Sequence, residues 1–86
     1  DAAYLEALAQ SLAAVQQYAP GYLVISLGLD TYREDTVGCF ALSSESYAHI
    51  GRAIAGLELP TLWVQEGGYH PLTLGRHLVM LLKEFN

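Results

Sequence analysis

The sequence predicts an α/β protein built on a small parallel sheet, with elements in the order helix, strand, helix, strand, helix. Two short apolar runs, YLVISL at 22–27 and TLWVQE at 61–66, are typical of buried strands. Segments with helical periodicity lie before, between and after these runs. A strand, a crossover helix and a second strand imply parallel pairing with a right-handed connection.

The first helix is predicted over residues 2–18, which are rich in the good helix formers Ala, Leu and Gln. Its apolar positions recur at spacings of three and four, which places them on one face. They are Leu5, Leu8, Leu12 and Val15. Pro and Gly within 19–22 end the helix. We expect the strand at 22–27 that follows to be buried on both sides.

The second helix is predicted over residues 45–56, with Ser43 or Ser44 as its N-terminal cap. Its predicted buried stripe consists of Tyr47, Ile50, Ile54 and Leu57. In the second strand, Trp63 and Val64 are expected to pack.

A third helix is predicted from Pro71, a residue well suited to a first helical turn, to about Phe85. Its predicted inner face consists of Leu74, Leu78, Leu81 and Phe85.

Composition narrows the class of protein. With 86 residues the chain has room for one domain at most, and 52% hydrophobic residues indicate a core. Four Lys plus Arg against nine Asp plus Glu give a net charge of -5. This charge argues against a nucleic-acid partner and is compatible with a cationic ligand such as a polyamine. No apolar stretch is long enough to span a bilayer, so no membrane partner is expected.

The single cysteine, Cys39, cannot form an intrachain disulfide, which is compatible with a reducing compartment. We therefore expect a cytoplasmic protein, with Cys39 as a small buried residue. Because the chain begins at Asp1 rather than Met, we interpret it as processed, trimmed or part of something longer.

Two unusual segments follow the two strands directly. GLDTYRED at 28–35 opens a long loop after the first strand, and EGGYH at 66–70 follows the second. In open α/β sheets, ligands bind beyond the carboxyl ends of parallel strands. We therefore predict that these segments lie close together and form a site.

The residue types in these segments leave alternatives open. Asp30 suits either a metal ligand or a turn-forming Asp, and Asp35 can brace the loop by accepting backbone hydrogen bonds. Tyr69 follows two glycines, which suits either a tight turn or a hydroxyl that donates to a polarised carbonyl oxygen. His49 and His77 fall in helices as surface or packed residues, whereas His70 can line a cleft.

Other functional classes lack their motifs. The sequence contains no glycine-rich phosphate loop, no G-x-S-x-G nucleophile elbow and no Cys or His pair at zinc-finger spacing.

The stretch VISLGLDTYREDTVGCFALSSESYAHIGRAIAGLELPTLWVQEGGYHPLTLGRHLVMLL resembles the C-terminal part of the acetylpolyamine amidohydrolase branch of the histone deacetylase family. SLGLDTY, the downstream D-x-V-G-C-F-x-L-S-S-E and EGGY occur in the family's order and at similar spacing. The resemblance covers nearly the whole chain. It implies the arginase–deacetylase fold, a three-layer sandwich of which residues 1–86 would form a single partial domain.

The resemblance also implies the site residues. Asp30 matches a zinc-binding Asp, and Tyr69 matches the tyrosine that hydrogen-bonds the acetyl carbonyl. Gly67 and Gly68 would shape the backbone that presents Tyr69, and Val37 would lie near the substrate tunnel. The implied reaction is zinc-dependent hydrolysis of an acetylated polyamine or acetyl-lysine. Arginases carry D-x-D where this chain reads GLD, which favours the one-zinc pattern.

The departures from the family decide which hypotheses follow. The family's other zinc ligands lie upstream in a D-x-H motif and its general base in a His-His pair, and neither motif occurs here. Thr36 also stands where the family usually has Pro. A catalytic zinc usually needs three protein ligands. We therefore expect a fragment or truncated relative that is inactive alone, without tightly bound zinc, and that associates with the missing part of the fold.

Two alternative hypotheses remain. One is a non-catalytic module derived from this fold, which assembles through its exposed sheet edges. Because a two-stranded sheet leaves its edges free, we expect a homo-oligomer under the fragment hypothesis as well as under this one. The other is a new site built by two copies from paired Asp30 and Tyr69 residues.

Overall fold

The computed structural model describes residues 1–85, and its elements follow the predicted order. Their bounds are α1 Ala2–Tyr18, β1 Leu23–Gly28, α2 Glu45–Ala55, β2 Thr61–Glu66 and α3 Pro71–Leu82, followed by a 3-10 turn over Lys83–Phe85. The predicted elements agree with these bounds to within one residue, except that α3 ends before Phe85. In this described part, no helix combines the length and the apolar character needed to cross a membrane.

The two strands pair in parallel, as predicted. The register runs from Leu23 opposite Thr61 to Gly28 opposite Glu66. Since the strands end on the same register pair, the loops that follow them start side by side at one edge of the sheet. An α-helix, α2, makes the crossover that parallel pairing requires.

One face of the sheet is covered and the other is open. Leu23, Ile25 and Leu27 of β1 pack toward the helices, together with Trp63 of β2. The alternate residues Val24, Leu62 and Val64 are exposed. The predictions of a strand buried on both sides and of a packed Val64 are therefore wrong for residues 1–85, because all three helices pack against the same face.

The core lies between this covered face and the helices. Its buried apolar residues are Leu27, Leu29, Tyr32, Leu42, Tyr47, Ile50, Ile54 and Leu81. The predicted stripe of α2 is confirmed, with Leu57 half-buried at its end. Phe85 lies beyond the end of α3 and is 36% exposed, although its ring meets Trp63 edge-on with 5.3 Å between centroids.

The N-terminus of α2 is held by a residue that the sequence pattern did not suggest. Ser44 is the N-cap, as predicted, but its hydroxyl bonds Nε2 of His77 at 2.9 Å rather than the helix backbone. The Asp1 carboxylate instead accepts the backbone N–H of Ser43 at 2.8 Å and the hydroxyl of Ser46. A carboxylate at a helix N-terminus also interacts favourably with the helix dipole. Asp1 thereby ties the start of α1 to the start of α2.

Cys39 is exposed, so its predicted burial is wrong. The reason lies in the turn around it. The preceding residue, Gly38, lies against the backbone of Asp30, and the following residue, Phe40, meets the Tyr4 ring edge-on at 5.7 Å. Gly38 makes the inward contact, Phe40 packs on Tyr4 while remaining 54% exposed, and the Cys39 side chain is left in solvent.

Two helical glycines give a matched test of this packing. A Cβ on Gly51 in α2 would overlap the Leu81 carbonyl of α3, whereas a Cβ on Gly75 in α3 would meet nothing within 4 Å. We expect Gly51→Ala to lower the free energy of unfolding by about 1–3 kcal/mol through overpacking. Gly75→Ala should raise it by roughly 0.5–1 kcal/mol, because alanine restricts the unfolded chain more than glycine does. Urea unfolding of the two variants measures both changes. Equal effects would contradict the close α2–α3 contact.

Candidate functional site

The two loops that follow the strands come together, as the sequence predicted. The contact is made at Asp30 in the first loop and at Gly67 in the second. A Cβ on Gly67 would lie 2.9 Å from Oδ2 of Asp30, and a Cβ on Gly28 would lie 2.9 Å from its Oδ1. Both glycine backbones therefore approach the Asp30 carboxylate more closely than any other residue type could. The Asp30 carboxylate therefore lies in a cradle formed by the backbones of Gly28 and Gly67.

Asp35 joins the same two loops through both of its carboxylate oxygens. Oδ1 accepts the backbone N–H groups of Val37 and Gly38, each at 2.9 Å. Oδ2 accepts the backbone N–H of Tyr69 at 2.6 Å. The prediction that Asp35 braces its own loop is confirmed, and the bond to Tyr69 extends the brace to the neighbouring loop.

The surroundings of Asp35 favour its charged form. Its residue is only 8% exposed, and this burial by itself raises the pKa of the carboxyl. The hydrogen bonds from Gly38, Tyr69 and Val37, together with His70, outweigh burial and hold the pKa below its ordinary value of 3.8. Asp35 is thus ionised at neutral pH.

Tyr69 extends from this anchored backbone into solvent. Its residue is 49% exposed. The two preceding glycines have φ of 66° at Gly67 and 103° at Gly68, a region that other residues rarely adopt. Gly68 also lies against Leu29, where an added Cβ would come within 3.1 Å of the leucine Cβ. The glycines thus make the turn that brings the Tyr69 amide to Asp35.

Val37 lies in the first loop, with its N–H on Asp35 and the residue 67% exposed. The loop therefore presents an apolar surface at the same edge of the sheet as Tyr69. A role of Val37 beside a substrate tunnel stays a prediction.

A stack of aromatic rings supports the first loop from the core side. The His77 ring stacks on Tyr47 with 4.4 Å between centroids and meets Tyr32 at 4.5 Å. Tyr32 also meets the His70 ring edge-on, with 5.4 Å between the ring centroids. Tyr32 lies between Asp30 and Asp35, so this stack supports the segment that carries both carboxylates.

The three histidines have different surroundings. His77 is buried, and burial lowers its pKa below the ordinary 6.5, with smaller effects from Arg76 and His70. His49 is exposed on α2, which confirms the prediction of surface or packed helical histidines. His70 Nδ1 lies 2.8 Å from the Thr73 hydroxyl, at the start of α3.

A metal centre would need more ligands than this part of the chain supplies. Asp30 offers a carboxylate at a strand end, which suits one ligand position. Among residues 1–85, no three His, Cys, Asp or Glu side chains are grouped so that they could hold a metal ion. The described residues therefore do not form a complete zinc site by themselves.

Comparison with known proteins identifies the family. The Histone deacetylase domain pattern matches residues 1–85. The chain belongs to the histone deacetylase family. This confirms the resemblance seen in the sequence. Acetylpolyamine amidohydrolase 1 of Pseudomonas aeruginosa is 44% identical over 79 residues, which are 92% of this chain. Acetylpolyamine amidohydrolase 2 of the same organism is 40% identical over 84 residues, or 98% of this chain.

The fold agrees with this assignment. The crystal structure of an acetylpolyamine aminohydrolase from Burkholderia pseudomallei superposes with a TM-score of 0.92 at 37% identity and covers 98% of this chain. The α/β fold class is thereby confirmed. The match covers 25% of the crystallised chain and 23% and 24% of the two Pseudomonas proteins. This chain therefore spans about a quarter of the length of its relatives.

Sequence reasoning missed two features of the site. It did not predict that Asp35 would bond Tyr69, because the two residues are 34 positions apart and no pattern links them. It also gave no role to Gly28 or Gly38, whose backbones lie against Asp30. The concentration of glycines around the two acidic residues was the available signal.

Substitution of Gly67 tests the cradle around Asp30. Gly67→Ala would strain a positive φ, at a cost of roughly 1–2 kcal/mol, and would press a methyl group on the Asp30 carboxylate. We expect a loss of that size in the free energy of unfolding. The control is Gly21→Ala, where a Cβ meets nothing within 4 Å. If the two variants unfold at the same urea concentration, the Gly67 backbone does not lie against the Asp30 carboxylate as described.

The lowered pKa of Asp35 predicts how stability depends on pH. Its stabilising effect is present above the ordinary value of 3.8 and is lost as the pH falls through the lower folded value. We expect Asp35→Asn to be less stable than the wild type at pH 7 and the difference to shrink below about pH 4. Unfolding measured from pH 7 to pH 2 checks this. A difference that is constant across the range would contradict the assignment.

Proposed function

We propose that this chain is one part of a zinc-dependent acetylpolyamine amidohydrolase, to which it contributes Asp30 as a metal ligand and Tyr69 as an oxyanion-stabilising donor. The observation that carries the proposal is the meeting of the two loops. The Asp30 carboxylate lies in contact with the loop that presents Tyr69, and Asp35 holds the Tyr69 amide. Relatives named acetylpolyamine amidohydrolase, 38–44% identical to this chain, support the substrate class.

The proposed chemistry divides between this chain and the remainder of the domain. A zinc ion would polarise an acetyl carbonyl and activate water, but its other ligands would come from outside residues 1–85. Within this chain, the hydroxyl of the half-exposed Tyr69 is suited to donate to an oxyanion, the role in which a single donor has a large effect on rate. Gly67 and Gly68 set the backbone that presents it, and Val37 would border the acyl or polyamine chain.

We propose that the chain is inactive alone. The D-x-H motif and the His-His pair are missing from its 86 residues. The open sheet face with Val24, Leu62 and Val64 supports association with the missing part, because exposed apolar patches often mark interfaces. Helices packed on this face would add the third layer of a sandwich in which the sheet is the middle layer.

A chimera tests the proposal directly. In Acetylpolyamine amidohydrolase 1 of Pseudomonas aeruginosa, the region that matches this chain would be replaced by residues 1–86. We expect the zinc-loaded chimera to hydrolyse an acetylated polyamine, and Tyr69→Phe to lower kcat roughly a hundredfold or more. Asp30→Asn should lower zinc content as well as turnover, since it removes a proposed ligand. Glu34→Gln is the matched control, because among residues 1–85 this neighbouring loop carboxylate hydrogen-bonds the Tyr32 hydroxyl alone.

Two outcomes would contradict the proposal. A folded chimera that binds zinc but does not hydrolyse the substrate would show that Tyr69 does not serve its proposed role. Zinc-dependent turnover by the 86-residue chain alone, lost in Tyr69→Phe, would show that the chain assembles a complete site without the remainder.

The open sheet face also favours a second candidate, a non-catalytic module that assembles with itself. Parallel strands with free edges and an exposed apolar face are prone to self-association. Sedimentation of the chain with and without Val24→Lys separates the candidates. A stable oligomer that Val24→Lys dissociates favours the module, whereas a state of association that Val24→Lys does not change favours the proposed enzyme part.

A further inference from the structure

We propose that Asp35 is a positioning residue that holds the proposed metal-binding loop and the proposed oxyanion-stabilising loop in one fixed arrangement. The proposal rests on the function proposed for Asp30 and Tyr69 and adds a third residue to that site. Asp35 is not suited to contact substrate itself, since its residue is 8% exposed and its oxygens are occupied by backbone N–H groups.

One oxygen of Asp35 acts on the Asp30 side. Oδ1 accepts the N–H of Gly38 at 2.9 Å. The Gly38 backbone in turn lies directly on the Asp30 peptide, because a Cβ at Gly38 would overlap the Asp30 carbonyl oxygen and lie 2.9 Å from its carbonyl carbon. The bond from Gly38 to Asp35 therefore holds the Gly38 backbone against Asp30, the residue proposed to bind the metal.

The other oxygen acts on the Tyr69 side. Gly67 and Gly68 precede Tyr69, and two glycines give a backbone much conformational freedom. The tyrosine side chain is half exposed and so provides limited packing to fix its direction. The 2.6 Å bond from the Tyr69 N–H to Oδ2 is the contact that fixes where this residue leaves the turn.

The chemistry of the position requires a carboxylate. Three N–H donors converge on two oxygens, and only an ionised carboxylate offers acceptors to all of them. Asparagine could keep its one oxygen toward Val37 and Gly38, but its NH₂ group would then face the Tyr69 N–H, donor against donor. Asp35→Asn is thus a selective change that breaks the bond between the loops and keeps the bonds within one loop.

The test uses NMR spectroscopy of the isotope-labelled 86-residue chain. In the wild type, we expect a scalar coupling across the hydrogen bond between the Tyr69 amide nitrogen and the Asp35 carboxylate carbon. In Asp35→Asn, hydrogen exchange at the Tyr69 amide should accelerate about tenfold or more, as expected for loss of a charge-assisted bond. Exchange at Val37 and Gly38 should change less. Glu34→Gln, which removes a charge from the adjacent residue, should leave the Tyr69 amide unchanged.

Either of two results overturns the positioning role. The first is exchange at Tyr69 that is the same in Asp35→Asn as in the wild type. The second is a wild-type spectrum in which the coupling to Asp35 is seen from Gly38 but not from Tyr69. The wild-type coupling needs no substitution, so it decides the question even if Asp35→Asn fails to fold.

The chimera shows whether the position of Tyr69 affects the rate of hydrolysis. There, Asp35→Asn should lower kcat roughly a hundredfold while KM changes little, because a displaced Tyr69 impairs the reacting geometry more than binding. An unchanged kcat would overturn the catalytic importance of this contact. An inactive parent chimera would instead contradict the proposed function, while the NMR result would still decide whether Asp35 fixes Tyr69.

Discussion

The candidate site depends on the parallel pairing of β1 and β2. Because Gly28 lies opposite Glu66 at the last register pair, the chain leaves both strands at the same edge and in the same direction. An antiparallel pair would have placed the Asp30 and Tyr69 loops at opposite ends of the sheet, about 20 Å apart for strands of six residues. The α2 crossover is therefore as necessary to the site as the residues within it.

Parallel pairing brings the loops near each other, but it does not fix their relative position. That requires contacts at the level of single atoms, which Asp35 and the glycines supply. A carboxylate with low exposure is normally unfavourable, and here three backbone donors compensate for its loss of water. The ring stack of Tyr32, His77 and Tyr47 then supports the loop from the core side. The loop is thus ordered by contacts on both sides although it has little regular structure.

The sequence predicted those parts of the fold that depend on local patterns. The stripe of Tyr47, Ile50 and Ile54 followed from helical spacing, and the parallel strands followed from a strand–helix–strand order. It failed where a contact joins distant residues. The Asp1 carboxylate bonds Ser43 and Ser46 at the start of α2, because folding brings α1 beside it. Cys39 is exposed because the inward contact of its turn is made by Gly38. The meeting of the Asp30 loop with the loop that carries Tyr69 was predictable, whereas the bond from the Tyr69 N–H to Asp35 was not.

The open sheet face reflects the same limit of sequence reasoning. A continuous apolar run such as LVISL indicates a strand with apolar side chains on both faces, and β1 has them. The run cannot specify whether the cover for each face lies in the same 86 residues. Here the helices cover one face and leave Val24, Leu62 and Val64 exposed, in a chain that spans about a quarter of its relatives' length. The covered face and the loops beyond it are therefore built within this chain, and the apolar residues on the opposite face suit a further covering layer.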